Sequence, residues 1–208
     1  MKLTKFEQSG FILETENGFR VAIDIAIKTP LEKLENIPAV DAFLVSHIHP
    51  DHFSAEHINK LKPATVCLNS ECIDGWGEQP MPFELKKVAS GDAIDLGPIS
   101  IEYFNVDHGP NIPEPIENHG FIITVDGQKI YFAGDMYYPS GIDTSNLEVD
   151  YAILPVGDFY TFNPETAYAF AKTFKKIGTL IPMHDRGEVE KTDAFVALAS
   201  PEFHVIKM

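Results

Sequence analysis

Cysteine and cationic side chains are both scarce in this chain, and it contains no long apolar run. The two cysteines, Cys67 and Cys72, form a C-x4-C pair. That is too few for a disulfide framework, and the second pair that a structural zinc site would need is missing. Cys67 lies in the apolar stretch ATVCL and reads as a buried, inert thiol. Positive charge is short as well: 16 Lys and Arg stand against 31 Asp and Glu, for a net charge of −15 and a pI near 4.8. Phosphate backbones need clustered cations, so the balance argues against a large nucleic-acid surface and disfavours an anionic membrane. The only arginines are Arg20 and Arg186. No window approaches the roughly eighteen apolar residues of a transmembrane helix. The opening MKLTKFEQSG lacks the apolar core of a signal peptide, which leaves the cytoplasm as the expected location.

What is present suits one globular domain spanning residues 1–208. Hydrophobic residues make up 44% and charged residues 23%, too apolar for disorder. No repeat, low-complexity tract or linker interrupts the chain. KLTKFEQ, FILETE and FRVAIDIA read as strands, the last two joined by a turn at ENG. DAFLVSH is apolar with little alternation, as in a strand covered on both faces. Ser54 can cap a helix over AEHINKLK; a strand at ATVCLN, a short helix near Glu71, and strands at FELKKV and ISIEYFNV follow. GFIITV and KIYFAGD flank Asp126-Gly127, a type I′ hairpin signal. DYAILPVG reads as a buried strand. Pro164 opens a helix over ETAYAFAKTFKK with an apolar stripe of Ala167, Phe170, Ala171 and Phe174. A strand TLIPM, a helix around VEKTDAFVALA and a last strand FHVIKM complete the chain. Strands followed by helices in both halves predict an α/β class with two packed sheets and helices outside. The longest irregular stretch is DHGPNIPEPIENH, residues 107–119, and such loops are often functional.

The chemistry concentrates in FLVSHIHPDHF, residues 43–53, where three of the chain's 8 histidines crowd beside an aspartate. Packing does not ask for adjacent imidazoles. The pattern is His47-x-His49-x-Asp51-His52, and a strand end can point His47 and His49 the same way because side chains alternate. Neutral imidazole with carboxylate suits zinc, iron or manganese. Three more candidates stand at predicted strand ends: His108 after IEYFNVD, Asp135 after KIYFAG and His184 after TLIPM. Seven ligands exceed one tetrahedral ion. They divide into His47, His49 and His108 around one metal and Asp51, His52 and His184 around the other, with Asp135 bridging.

These residues resemble the H-x-H-x-D-H signature and the later His, Asp and His of the metallo-β-lactamase superfamily, along nearly the whole chain. PVGDFYTFNPETA and IPMH are similar to segments of small bacterial metal-dependent hydrolases related to the L-ascorbate-6-phosphate lactonase. The resemblance implies an αββα four-layer sandwich with a dinuclear site at the sheets' shared edge, and it implies that Asp24 supports the ligands. Small members usually carry glycine where Asp158 stands and commonly tyrosine where Asp185 stands.

Two divalent ions sharing a hydroxide would lower its pKa towards neutrality and hold it as a nucleophile, with Asp51 orienting or accepting its proton and Asp135 between the ions. The expected activity is hydrolysis of a small ester, lactone or phosphodiester, with zinc the first choice of metal and manganese or iron as alternatives. A small phosphodiesterase or nuclease-like enzyme and a non-catalytic metal-binding module are the rival readings. Arg186 suits the carboxylate or phosphate of an anionic substrate. Asp158, Tyr160 and Phe162, and His119 at the end of the proline-rich loop, are further pocket candidates. His57 is expected on a solvated helix face, and His204 satisfied within the last strand.

Overall fold

The computed structural model describes all residues, Met1–Met208. Its internal contacts divide into two compact units, Met1–Ala89 and Ser90–Met208.

The first unit is a six-stranded mixed sheet in sequential order: β1 (Lys2–Lys5), β2 (Phe11–Glu14), β3 (Arg20–Ile23), β4 (Ala42–Leu44), β5 (Thr65–Leu68) and β6 (Glu84–Lys87). The first three strands pair antiparallel, and β3 to β6 pair in parallel. The register puts Ile12, Ala22, Phe43 and Val66 side by side across four strands. Period two then makes them one face of the sheet. They join Val45, Leu68, Trp76 and the helical residues Leu34, Ile58, Leu61 and Cys72 in a single buried cluster. A 3-10 turn (Leu31–Leu34), α1 (Ala55–Leu61) and α2 (Ser70–Asp74) supply those helical residues. Ser54 caps α1, accepting from the His57 N–H, and Asn69 caps α2 in the same way.

The second unit is also a six-stranded mixed sheet: β7 (Ala93–Asp95), β8 (Ile99–Asn105), β9 (His119–Val125), β10 (Gln128–Phe132), β11 (Glu148–Pro155) and β12 (Lys176–Met183). Strands β7 to β10 are antiparallel and β10 to β12 parallel. Asp126 and Gly127 both have positive φ (49° and 73°), as the type I′ turn between β9 and β10 requires. Helix α3 (Pro164–Ala171) carries a full capping box between Asn163 and Thr166, and α4 (Val189–Ala199) runs beside it. Phe170 and Phe174 meet the Tyr131 ring, with centroids 6.0 and 5.0 Å apart, and Phe104 stacks on Tyr131 at 5.2 Å.

Several expectations need correction. Strand β7 and the 3-10 turn carry no strong pattern in the sequence; β7 has only its middle residue half-buried. Helix α3 stops at Ala171, because the Thr173 hydroxyl turns to the Phe170 carbonyl (2.7 Å) and to Thr144 Oγ1 (2.6 Å) while Lys175 N–H donates to Thr144. FHVIKM is not a strand: it makes a single bridge, Val205 to Leu180. His57 is buried rather than solvated, bonded through Nδ1 to Ser54 Oγ (2.8 Å) and through Nε2 to the Thr29 carbonyl (3.0 Å). Phe162 is a core residue, 1% exposed and packed on Phe170. No helix is long and apolar enough to cross a membrane.

Candidate functional site

In the first unit the ligand candidates occupy the turn after β4, a strand buried along its whole length. His47 and His52 are buried, His49 and Asp51 half-buried. The His49 carbonyl accepts from the His52 and Phe53 N–H groups (2.9 and 2.8 Å), which closes the turn and gathers the side chains. His47 Nε2 lies 3.0 Å from His49 Nδ1, and His52 Nε2 lies 3.9 Å from Asp51 Oδ2.

Asp24, one residue beyond β3 and fully buried, organises this group. It takes the Ser46 N–H at Oδ1 (2.8 Å), the Ser46 hydroxyl at Oδ2 (2.6 Å) and His52 Nδ1 at Oδ2 (2.8 Å). Ser46 Oγ also lies 2.9 Å from His47 Nδ1. With the hydroxyl donating to Asp24, Ser46 Oγ accepts from His47 Nδ1–H. His47 and His52 thereby carry their protons on Nδ1 and turn the lone pairs of Nε2 outward, the tautomer a metal needs. Burial pushes the Asp24 carboxyl up, while the charge and hydrogen bond of His52 and the Ser46 bonds oppose that rise. Its left-handed backbone (φ 48°) marks local strain at the same point.

In the second unit three strand-end loops converge. His108 and Asp135 each follow their strand by three residues, and His184 follows β12 directly. All three are buried. The Nε2 atoms of His108 and His184 approach the same oxygen, Asp135 Oδ2, at 3.4 and 3.2 Å. The loops are tied to one another. Asn118 is fully buried and donates from Nδ2 to the Asp135 carbonyl (2.9 Å), while its own carbonyl takes Val106 N–H (2.8 Å). Tyr137 N–H donates to the Asp107 carbonyl (2.8 Å). Gly157, two residues past β11, leaves room for His184: a Cβ there would lie 2.1 Å from the His184 carbonyl and 3.1 Å from its Nδ1. Lys191 Nζ holds the Gly157 carbonyl (2.7 Å), and Asp185 takes Gly187 N–H (3.0 Å) and the Thr192 hydroxyl (2.9 Å), fastening the His184 turn to α4.

The donor chemistry fits a divalent cation. Ligands about 2.0–2.1 Å from a tetrahedral ion stand about 3.3 Å from each other. The spacings His47–His49, His108–Asp135 and His184–Asp135, at 3.0, 3.4 and 3.2 Å, bracket that edge.

The remaining candidates lie in the second unit. Asp158 and Arg186 are exposed, both with left-handed backbone (φ 61°), and the Arg186 guanidinium lies 5.3 Å over the Tyr160 ring. His119 is buried edge-on against Tyr103 (5.9 Å), and burial pushes its imidazole down. Sequence reasoning missed Ser46, Asn118, Gly157, Lys191 and Thr192. Only Ser46, adjacent to a ligand, carried a local signal.

Residues 2–184 match the family model of the β-lactamase superfamily domain. A metal-dependent hydrolase of Pelotomaculum thermopropionicum is 32% identical over 88% of this chain and 84% of its own. The chain belongs to the metal-dependent hydrolases of the metallo-β-lactamase superfamily. A second hydrolase so named, from Methanosphaera stadtmanae, is 28% identical over 88% of this chain and 83% of its own. The metallo-β-lactamase fold protein YhfI of Bacillus subtilis matches with a TM-score of 0.74 at 18% identity, over 97% of this chain and 89% of its own. The two mixed sheets and their helices are those of the metallo-β-lactamase fold, α/β in class.

Proposed function

We propose that this chain hydrolyses a small ester, lactone or phosphodiester with a dinuclear metal centre, zinc being the metal its donors suit best. In this reading His47, His49 and His108 would hold one ion and Asp51, His52 and His184 the other, and Asp135, whose Oδ2 faces both His108 and His184, would be shared between them. The observation that carries it is the aim of both ligand sets. Asp24 and Ser46 turn the Nε2 lone pairs of His47 and His52 outward, and His108 and His184 converge on one Asp135 oxygen. Membership of a family of metal-dependent hydrolases supports it further.

Bound divalent ions supply Lewis acidity and bring the pKa of water towards neutrality. The chain's own residues do the rest. Asp51, half-buried beside His52, is within reach of solvent and can orient the attacking water and take its proton. Asp24 keeps its proton donors fixed through turnover, so that the imidazoles do not change tautomer. Asp158, Tyr160 and Arg186 stand at the rim of the second unit's loops, where a substrate would be held. Buried as it is, His119 serves this scheme through its backbone: a Cβ on Gly134, next to Asp135, would lie 2.6 Å from the His119 carbonyl oxygen. The net charge of −15 favours a small molecule over a nucleic acid or a membrane as partner.

The test is turnover of an aryl ester, a γ-lactone and bis(4-nitrophenyl) phosphate by metal-loaded protein. His49→Ala and Asp135→Ala should abolish it while circular dichroism stays that of the parent. Full activity in a variant stripped of its metal would overturn the proposal.

A further inference from the structure

The loops after β11 and β12 hold more strain than the placing of His184 requires. His184 itself is left-handed (φ 52°), but so are Asp158 (φ 61°), Phe159 (φ 55°) and Arg186 (φ 61°). A non-glycine residue adopts that conformation at a cost, and such residues persist where surrounding contacts enforce them. Here the contacts are visible. Asp158 N–H donates to the Phe162 carbonyl (3.0 Å), and Phe162 N–H donates to the carbonyl of Met136, next to Asp135 (2.7 Å). The Asn111 side-chain amide holds the Phe159 carbonyl from the proline-rich loop.

The outcome of this arrangement is a pair of aromatic rings turned to solvent. Phe159 is 53% exposed and Tyr160 36%, and their rings meet edge to face at 4.6 Å. Over the Tyr160 face lies the Arg186 guanidinium. The two arginines of the chain are used differently. Arg20 forks onto the Glu14 carboxylate through Nε and Nη2, both at 3.2 Å. Arg186 is laid on a ring, two residues past His184, with its Cγ 3.2 Å from the position a Cβ on Gly157 would take. Stacking fixes the plane of a guanidinium while leaving its edge to make paired hydrogen bonds. An acid resting on so exposed a guanidinium would yield to a ligand easily, since exposed ion pairs are worth little.

We infer that Phe159, Tyr160 and Arg186 form a specificity subsite for a flat or apolar group bearing an oxyanion, carboxylate or phosphate. The guanidinium edge takes the oxyanion, and the rings flank the apolar part. As a description of the enzyme's substrate this rests on the hydrolase reading; as a binding site it does not.

The experiment titrates benzoate, phenylphosphate and uncharged benzamide into metal-loaded and chelator-treated protein, following the Arg186 Nε–H and Tyr160 ring signals by NMR. Wild type should prefer both anions to benzamide by about tenfold or more, the scale of one charge-assisted hydrogen bond. Arg186→Gln should erase the preference, Arg186→Lys should keep part of it, and Tyr160→Leu should weaken all three compounds. Equal binding of benzoate and benzamide would overturn the inference. So would an anion preference that survives Arg186→Gln and vanishes only with the metal, or that separates benzoate from phenylphosphate through the metal alone. Anion binding through Arg186 in a protein that hydrolyses nothing would sink the hydrolase reading and leave the subsite standing. Hydrolysis with an unchanged anion preference in Arg186→Gln would do the reverse.

Discussion

Replacing Asp24 by Asn should damage metal binding without touching a ligand. The side chain keeps its size but exchanges one acceptor oxygen for an NH2 donor. If the remaining oxygen stays at the Oδ2 position, it still takes the Ser46 hydroxyl and His52 Nδ1, and the NH2 faces the Ser46 N–H, donor against donor. If the amide flips, the NH2 faces His52 Nδ1, which must then lose its proton to Nε2 and can no longer ligate through it. In the first case one buried donor goes unmatched, at about 1–3 kcal/mol of stability; in the second the His52 ligand is lost. Loss of such an outer partner typically lowers metal affinity about 10- to 100-fold. That corresponds to about 1.4–2.7 kcal/mol. Ser46→Ala removes one of the three donors and should cost less in stability, while also releasing His47 Nδ1. The assay is competition for zinc against a chromophoric chelator, with urea unfolding of the same samples. Asp24→Asn protein that binds zinc as tightly as wild type would refute the tautomer argument.

Other positions give sharp expectations. Gly157→Ala needs the His184 carbonyl to retreat by about 1 Å, since a Cβ there would lie only 2.1 Å away. Overpacking of this kind costs about 1–3 kcal/mol, and a ligand misplaced by that much costs on the order of 100-fold in kcat/KM. An unchanged kcat/KM would show that the turn yields freely. Tyr131 is fully buried with no hydrogen-bond partner for its hydroxyl, and burial drives its pKa far up. Tyr131→Phe should therefore raise stability by about 1 kcal/mol in urea melts, and a loss of that size would reveal a partner for the hydroxyl.

Much of this was legible in the sequence because the signals are local. FLVSHIHPDHF combines a buried strand with a run of ligands, and Ser54, Pro164 and Asp126-Gly127 announce their helix starts and turn within a few residues. What escaped was set by contacts distant in the chain. His57 reads as an exposed helix position until Thr29, 28 residues earlier, supplies a carbonyl for it. Asn118 looks like one more polar residue in a proline-rich loop, yet its amide holds the Asp135 backbone 17 residues on. Gly157 shows its purpose only when His184 is seen against it. FHVIKM misled by its alternation, because Val205 makes one bridge to Leu180 and Ile206 remains 37% exposed.

The central claim is that seven side chains from distant segments grip a pair of divalent cations. The most direct test is anomalous diffraction at the zinc edge on crystals of protein purified without chelator. The account predicts two peaks, each about 2.0–2.2 Å from its imidazole and carboxylate donors, with Asp135 touching both. A map without peaks there, or one in which His108, Asp135 and His184 lie apart from His47, His49, Asp51 and His52, would contradict it.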